Sequence, residues 1–287
     1  MSSQITTAFV QQFSSNITLL STQKGSRLRG TVDEESVTGE KAFFDQIGSV
    51  AAVERTSRHG DTPLVETPHS RRMVTMSTFE WADLIDDADK VKLLADPTSV
   101  YAKTAANAMG KAMDDKIISA ATGSSLTGKA GATSTALPSG NVIAHGSADL
   151  TIAKLISAKE ILDAADVDPD ITRYIAVSPA QVSALLGTTQ VTSSDFNTVK
   201  ALSQGSVDTF LGFKFVLSNR LAKSGNNRTC FAWAENGLKL AVGKDVMAKI
   251  DERSDKSYST QVYYCATFGA TRMEEAKVVS IVCDESA

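Results

Sequence analysis

The 287-residue chain has only three cysteines, Cys230, Cys265 and Cys283, and none stands in a CxxC spacing. That odd, scattered set excludes a disulfide framework and a cysteine zinc site, and suits core positions in a reducing compartment. Three histidines, His59, His69 and His145, leave little material for metal binding or acid–base chemistry. No apolar run approaches the roughly 20 residues needed to cross a bilayer. Met1-Ser2-Ser3-Gln4-Ile5 lacks the basic start and apolar run of a secretory signal, so a cytoplasm-like compartment is expected. No internal repeat is visible. The net charge of −4 argues against tight, sequence-independent binding to nucleic acid, which needs many Lys and Arg on one face. It leaves room for a protein that surrounds nucleic acid without gripping it.

What remains is an ordinary globular composition, 42% hydrophobic and 22% charged, long enough for one large domain or two modest ones. Residues 1–37 are polar and read as an extended arm, with one apolar patch at Phe9 to Phe13. Residues 38–92 hold two strand-like runs, Ser49 to Arg58 and Arg71 to Phe79, around a turn-rich stretch with His59-Gly60-Asp61-Thr62-Pro63 and Thr67-Pro68-His69. Val50, Val53 and Thr56 against Met73, Val74, Met76 and Phe79 alternate only patchily. A hairpin polar on both faces is not stable alone and needs a surface to lie on.

Asp96-Pro97 opens the clearest helix, running through Ala121 to a left-handed stop at Gly123. At about 1.5 Å per residue it makes a rod of roughly 37 Å. Residues 123–147 read as a flexible Gly/Ser/Thr/Ala loop. A second helix spans about Asp149 to Ala165, with Ile152, Leu155, Ile156, Ile161 and Leu162 as its buried face. Ile171 to Val177 reads as a strand, and Ser178-Pro179 caps a short helix through Leu186. A further short helix is expected at Asp195 to Ser203. Strands follow at Phe210 to Leu217, bent at Gly212, and at Thr229 to Trp233. Met247 to Asp251, Ser257 to Phe268 and Lys277 to Cys283 are β-rich, the last two joined through Gly269-Ala270-Thr271-Arg272. These last strands are expected to pack beneath the long helix. The fold class is α+β.

The motifs of chemistry are missing. No GxSxG surrounds Ser178, Ser183 or any other serine. Gly243-Lys244-Asp245 is similar to the end of a phosphate loop, but Leu238 stands where its first glycine belongs and Asp245 replaces the magnesium-holding hydroxyl. Asp114-Asp115 reads as a solvated helix face. Asp163, Asp166, Asp168 and Asp170 superficially suggest calcium, but Pro169 and the lack of a twelfth-position glutamate break the pattern. No catalytic residue, cofactor or metal is expected, and a structural or binding role is favoured over an enzyme.

The order of the parts resembles the major capsid proteins of tailed double-stranded DNA phages, the HK-ninety-seven-type fold. The resemblance rests on the polar arm, the long loop and the spine helix ending in Ala120-Ala121-Thr122-Gly123. It rests also on Tyr174-Ile175-Ala176-Val177-Ser178-Pro179 with Gln181 to Leu186, on Ser194-Asp195-Phe196, on Leu202 to Gly205, and on Gly212-Phe213-Lys214-Phe215-Val216-Leu217-Ser218-Asn219. Phe268-Gly269-Ala270-Thr271-Arg272 before Val278-Val279-Ser280-Ile281 completes it. The resemblance implies an N-terminal arm (1–37), an extended loop (38–92), a peripheral domain with the spine helix (93–128), an axial domain (129–245) and a return to the peripheral domain (246–287). It implies homo-oligomers, pentamers and hexamers tiling a closed shell around DNA, with the loop laid over the next subunit. A nanocompartment shell or another virion protein on the same fold is the alternative.

Some relatives weld the shell through a loop lysine. Here no lysine lies between Ala42 and Asp89, so a shell held by noncovalent contacts is expected. A separate scaffolding protein, or assembly without one, is expected too, since the arm starts almost at Met1; portal and cement proteins are possible partners. Arg55, Arg58, Arg71 and Arg72 are the candidate inter-subunit contacts, facing a neighbour's acidic groups in 33–36 or 84–89. Replacing Arg71 and Arg72 by glutamate is expected to spare the fold and stop the shell.

Overall fold

The computed structural model describes residues 22–58, 60–85, 98–187 and 209–286. The stretch at Phe9 to Phe13, the Asp96-Pro97 cap and the helix expected at Asp195 to Ser203 lie outside them. The chain forms two compact units, and each draws on three separated segments: 1–26, 78–112 and 244–267 in the smaller, 27–77, 113–243 and 268–287 in the larger. The long helix α1 (Thr98–Thr122) forms as expected and contributes to both. Gly123 stops it without entering the left-handed region, and its N–H still reaches Ser119 O at 2.9 Å.

The larger unit is built on a seven-stranded sheet. Strands β7 (Val142–Ile143), β15 (Val278–Asp284), β12 (Asn227–Ala234), β8 (Arg173–Val177), β10 (Phe213–Leu217) and β9 (Thr209–Phe210) follow in that order, and β11 (Lys223–Ser224) pairs with β12. The central strands are unbroken apolar runs because both faces are covered: Ile175, Ala176, Val177 and Cys230 to Ala234 are fully buried. Tyr174 and Phe231 pack on the buried Trp233 ring, whose N–H donates to Thr31 O at 2.9 Å. Gly212, at φ +84°, turns β9 into β10, as its place in the sequence suggested.

Helix α2 (Ile152–Ala164) packs on β15, capped by Thr151, whose side chain accepts from the Lys154 N–H. Its buried face is Lys154, Leu155, Ala158 and Leu162, while Ile156 is half exposed. Lys154 takes the inner position because its ammonium donates to the carbonyls of Ala148, Asp149 and Val282. Ser178 begins α3 (Pro179–Leu186), and its N–H donates to the Gln181 side chain.

A second sheet of the larger unit joins β2 (Lys41–Ile47), β3 (His69–Thr75), β5 (Ser125–Thr127) and β6 (Thr133–Thr135). It revises two expectations. Ser49 to Arg58 is not a strand; β3 pairs instead with Lys41–Ile47. Residues 123–147 are not wholly loop but carry β5, β6 and β7. The inner face has a core after all, made of Phe44, Val74, Met76, Ala241 and Met273. Strand β1 (Asp33–Ser36) runs parallel to the start of β13 (Leu238–Arg253).

In the smaller unit, β4 (Ser77–Ile85), separated from β3 at Met76, pairs with β14 (Ser259–Arg272) beside the outer part of β13. Thr78 and Thr267 share a hydroxyl contact at 3.0 Å. The Tyr263 hydroxyl donates to Glu80 at 2.9 Å, which holds its pKa up at about 12. Gly269 to Arg272 belong to β14 itself, so the joint to β15 falls at Met273 to Lys277. The last strands accordingly part: the end of β14 meets the end of α1 through Arg272, whereas β15 lies in the other sheet with α2 on it.

Candidate assembly surface

Between β2 and β3 the chain leaves the sheet at Gly48 and returns at Pro68. The Gly48 N–H donates to Pro68 O at 2.8 Å, closing the base. A Cβ on Gly48 would stand 2.7 Å from the Pro68 ring, so the closure needs glycine. Beyond it every described residue from Val50 to Pro68 is exposed. Ile47 is 70% accessible, Val50 49%, Val53 57%, Leu64 96% and Val65 45%. Exposed aliphatic side chains are unremarkable singly, but several on one segment make it the candidate interaction surface of the described residues.

The base is held differently. Arg72, 8% exposed, donates to Ser125 Oγ at 3.1 Å and to Glu275 Oε2 at 2.5 Å. Glu275 also accepts from Ser125 and lies 3.7 Å from Arg272 Nε. Arg272 is fully buried and donates to the carbonyls of Ala121, Gly123 and Thr135, satisfying the free end of α1. Burial lowers its pKa. One carboxylate thus sits between a guanidinium rooted in β3 and another closing a helix; the second approaches it as an ion pair, its Nε making no hydrogen bond.

The four candidate arginines therefore divide. Arg72 is spent inside the subunit. Arg71 forms a two-pronged pair with Asp45, 2.5 and 3.1 Å, and lies over the Phe43 ring. That pair raises the pKa of Arg71 and lowers that of Asp45. Arg55 and Arg58 stand on the exposed excursion; Arg55 reaches only Ser57 O, and neither forms an ion pair among the described residues. Of the acids expected to meet them, Glu34 pairs with Arg29, and Asp33 and Glu35 pair with Lys239. Residues 86–89 lie outside the described residues.

Four further carboxylates act structurally. Asp114 is not solvated: it is fully buried and accepts from the backbone N–H groups of Arg27 and Leu28 at 3.1–3.2 Å. Its neighbour Asp115 pairs with Arg220. Glu285 accepts from Arg228 and Lys223, which hold its pKa down to about 2. Asp163 pairs with the buried Arg173. Asp166 and Asp168 form no ion pair among the described residues.

The chain is a mixed α+β body carrying an arm closed at its base, and no cluster of metal-ligating side chains occurs among the described residues. The chain belongs to the phage capsid protein family, whose model matches residues 5–285, and its role is that of a major capsid protein, a subunit of the virion shell. No curated protein sequence matches it. Among solved structures it is similar to the capsid of cyanophage P-SCSP1u (18% identity, 97% of this chain and 94% of that one, TM-score 0.76). It is similar also to the capsid of cyanophage Pam1 (13%, 98% and 98%, TM-score 0.71) and that of the native GTA particle (13%, 96% and 96%, TM-score 0.67). The fold is the one the sequence resembled.

Proposed function

We propose that the chain assembles into pentamers and hexamers that tile an icosahedral-type head around double-stranded DNA, each subunit laying residues 48–68 over its neighbour. The carrying observation is the cluster of accessible aliphatic side chains on a segment whose base is closed and whose body is fixed. Left in water, these groups gain nothing; covered by a neighbour, they contribute roughly 25 cal/mol per Å² buried. Such an interface draws on area and symmetry rather than catalysis. The shell is held noncovalently, because no lysine lies between Ala42 and Asp89. The protein is not an enzyme, and the head is put together in the host cytoplasm.

Negative-stain imaging of the purified protein tests this reading. Polyhedral particles or ringed capsomers are expected, and a monodisperse monomer at all concentrations would overturn it. Particles boiled in detergent should run as single subunits; a ladder would refute the noncovalent shell. Packaged DNA separates a phage head from a nanocompartment.

A further inference from the structure

The turn after α2 lies at the base of the arm. Ala165, Asp166, Val167, Asp168 and Ile171 line one side of an open cleft of about 700 Å³, and Gln46 to Ser49 with Ser70 line the other. Its remaining charged groups are already engaged: Arg72 with Glu275, and Lys277 with Glu274 at 2.9 Å. Asp166 and Asp168 are exposed and left without a cation among the described residues. The arm that springs from this base carries Arg55 and Arg58, also without an acid partner, within a stretch that holds Glu54, Asp61 and Glu66 as well, so the complement to the cleft is these two arginines and not the arm's overall charge.

We propose that the arm of one subunit seats Arg55 and Arg58 against Asp166 and Asp168 in the cleft at the base of the next subunit's arm. This rests on the shell reading above and names its contact. A patch and its complement on different parts of one chain make a heterologous interface, which closes into a ring when copies are related by rotation. The span allows it: about ten residues of extended chain, half the excursion, reach roughly 33 Å. Apolar Ile47, Val167 and Ile171 in the cleft suit the arm's valines. Two desolvated arginine–carboxylate pairs would fix register, and a like-charge mismatch there is strongly disfavoured.

Three variants test it by particle yield from sedimentation and negative stain. One is Arg55→Glu with Arg58→Glu. The second is Asp166→Asn with Asp168→Lys, asparagine being chosen because Asp166 has φ +52°. The third combines all four. Each double variant should keep the wild-type circular dichroism and melting profile while particle yield falls by about tenfold or more, and the combination should recover shells. Wild-type yield from either double, or two failing doubles that the combination does not rescue, would overturn the pairing while leaving the shell reading intact. A wild-type protein that forms no particles would sink both.

Discussion

Arg72 and Arg55 belong to the same hairpin, yet one is buried in an ionic cluster and the other points into water. The contrast separates a base that folds the subunit from an arm that has no use within it. At the base Arg71, Arg72 and Arg272 each have a carboxylate partner in the same chain. On the arm, apolar groups and charges of both signs are exposed together, and Arg55 and Arg58 form no ion pair among the described residues. The same residue type serves the fold in one place and stands exposed in the other.

The sharpest way to break the contrast is at the base. Arg272→Ala strands the carbonyls at the end of α1 and leaves Glu275 less compensated; a loss of about 3–5 kcal/mol is expected in urea denaturation. Glu275→Gln keeps the shape but removes the charge between two guanidiniums, and should cost about 1.5–3 kcal/mol by the same assay. Glu285 sharpens the picture through pH. Its folded pKa of about 2 lies below the 4.5 of an ordinary glutamate, so its contribution is present above that value and is lost as pH falls toward 2. Glu285→Gln should therefore flatten the acid limb of the stability profile measured between pH 5 and pH 2. On the arm, Leu64→Ser should leave stability within about 0.5 kcal/mol of wild type and still reduce particle yield. Arg71→Ala, which opens only an exposed pair, should leave the melting curve unchanged.

The expected double variant at Arg71 and Arg72 now needs dividing. Glutamate at 72 would face Glu275 in a buried site and damage the fold, so loss of shells there would say nothing about contacts.

Legibility in the sequence followed locality. The α1 helix, the cap at Ser178 and the bend at Gly212 are set by neighbouring residues and were readable. Asp114 was misread because the N–H groups it accepts from lie far back in the chain, at Arg27 and Leu28. Ser49 to Arg58 looked like a strand because Val50 and Val53 suggest one, but no strand among the described residues pairs with it. The true partner, Lys41–Ile47, hides its role: only Phe44 is buried on it, and its pattern alternates weakly. The arginine set was found by composition, whereas Asp166 and Asp168, two of several acids without an ion pair among the described residues, gain interest only from their place in the cleft at the base of the arm.

The closure at Gly48 and Pro68 also makes arm length a free variable. Because the two ends meet at one hydrogen bond, residues added or removed beyond it do not shift the register of β2 on β3. Doubling such a loop raises its closure entropy by only about 0.6 kcal/mol. Reach can thus drift through insertions and deletions while the body stays folded, and a foreign peptide grafted there would be displayed without being asked to fold.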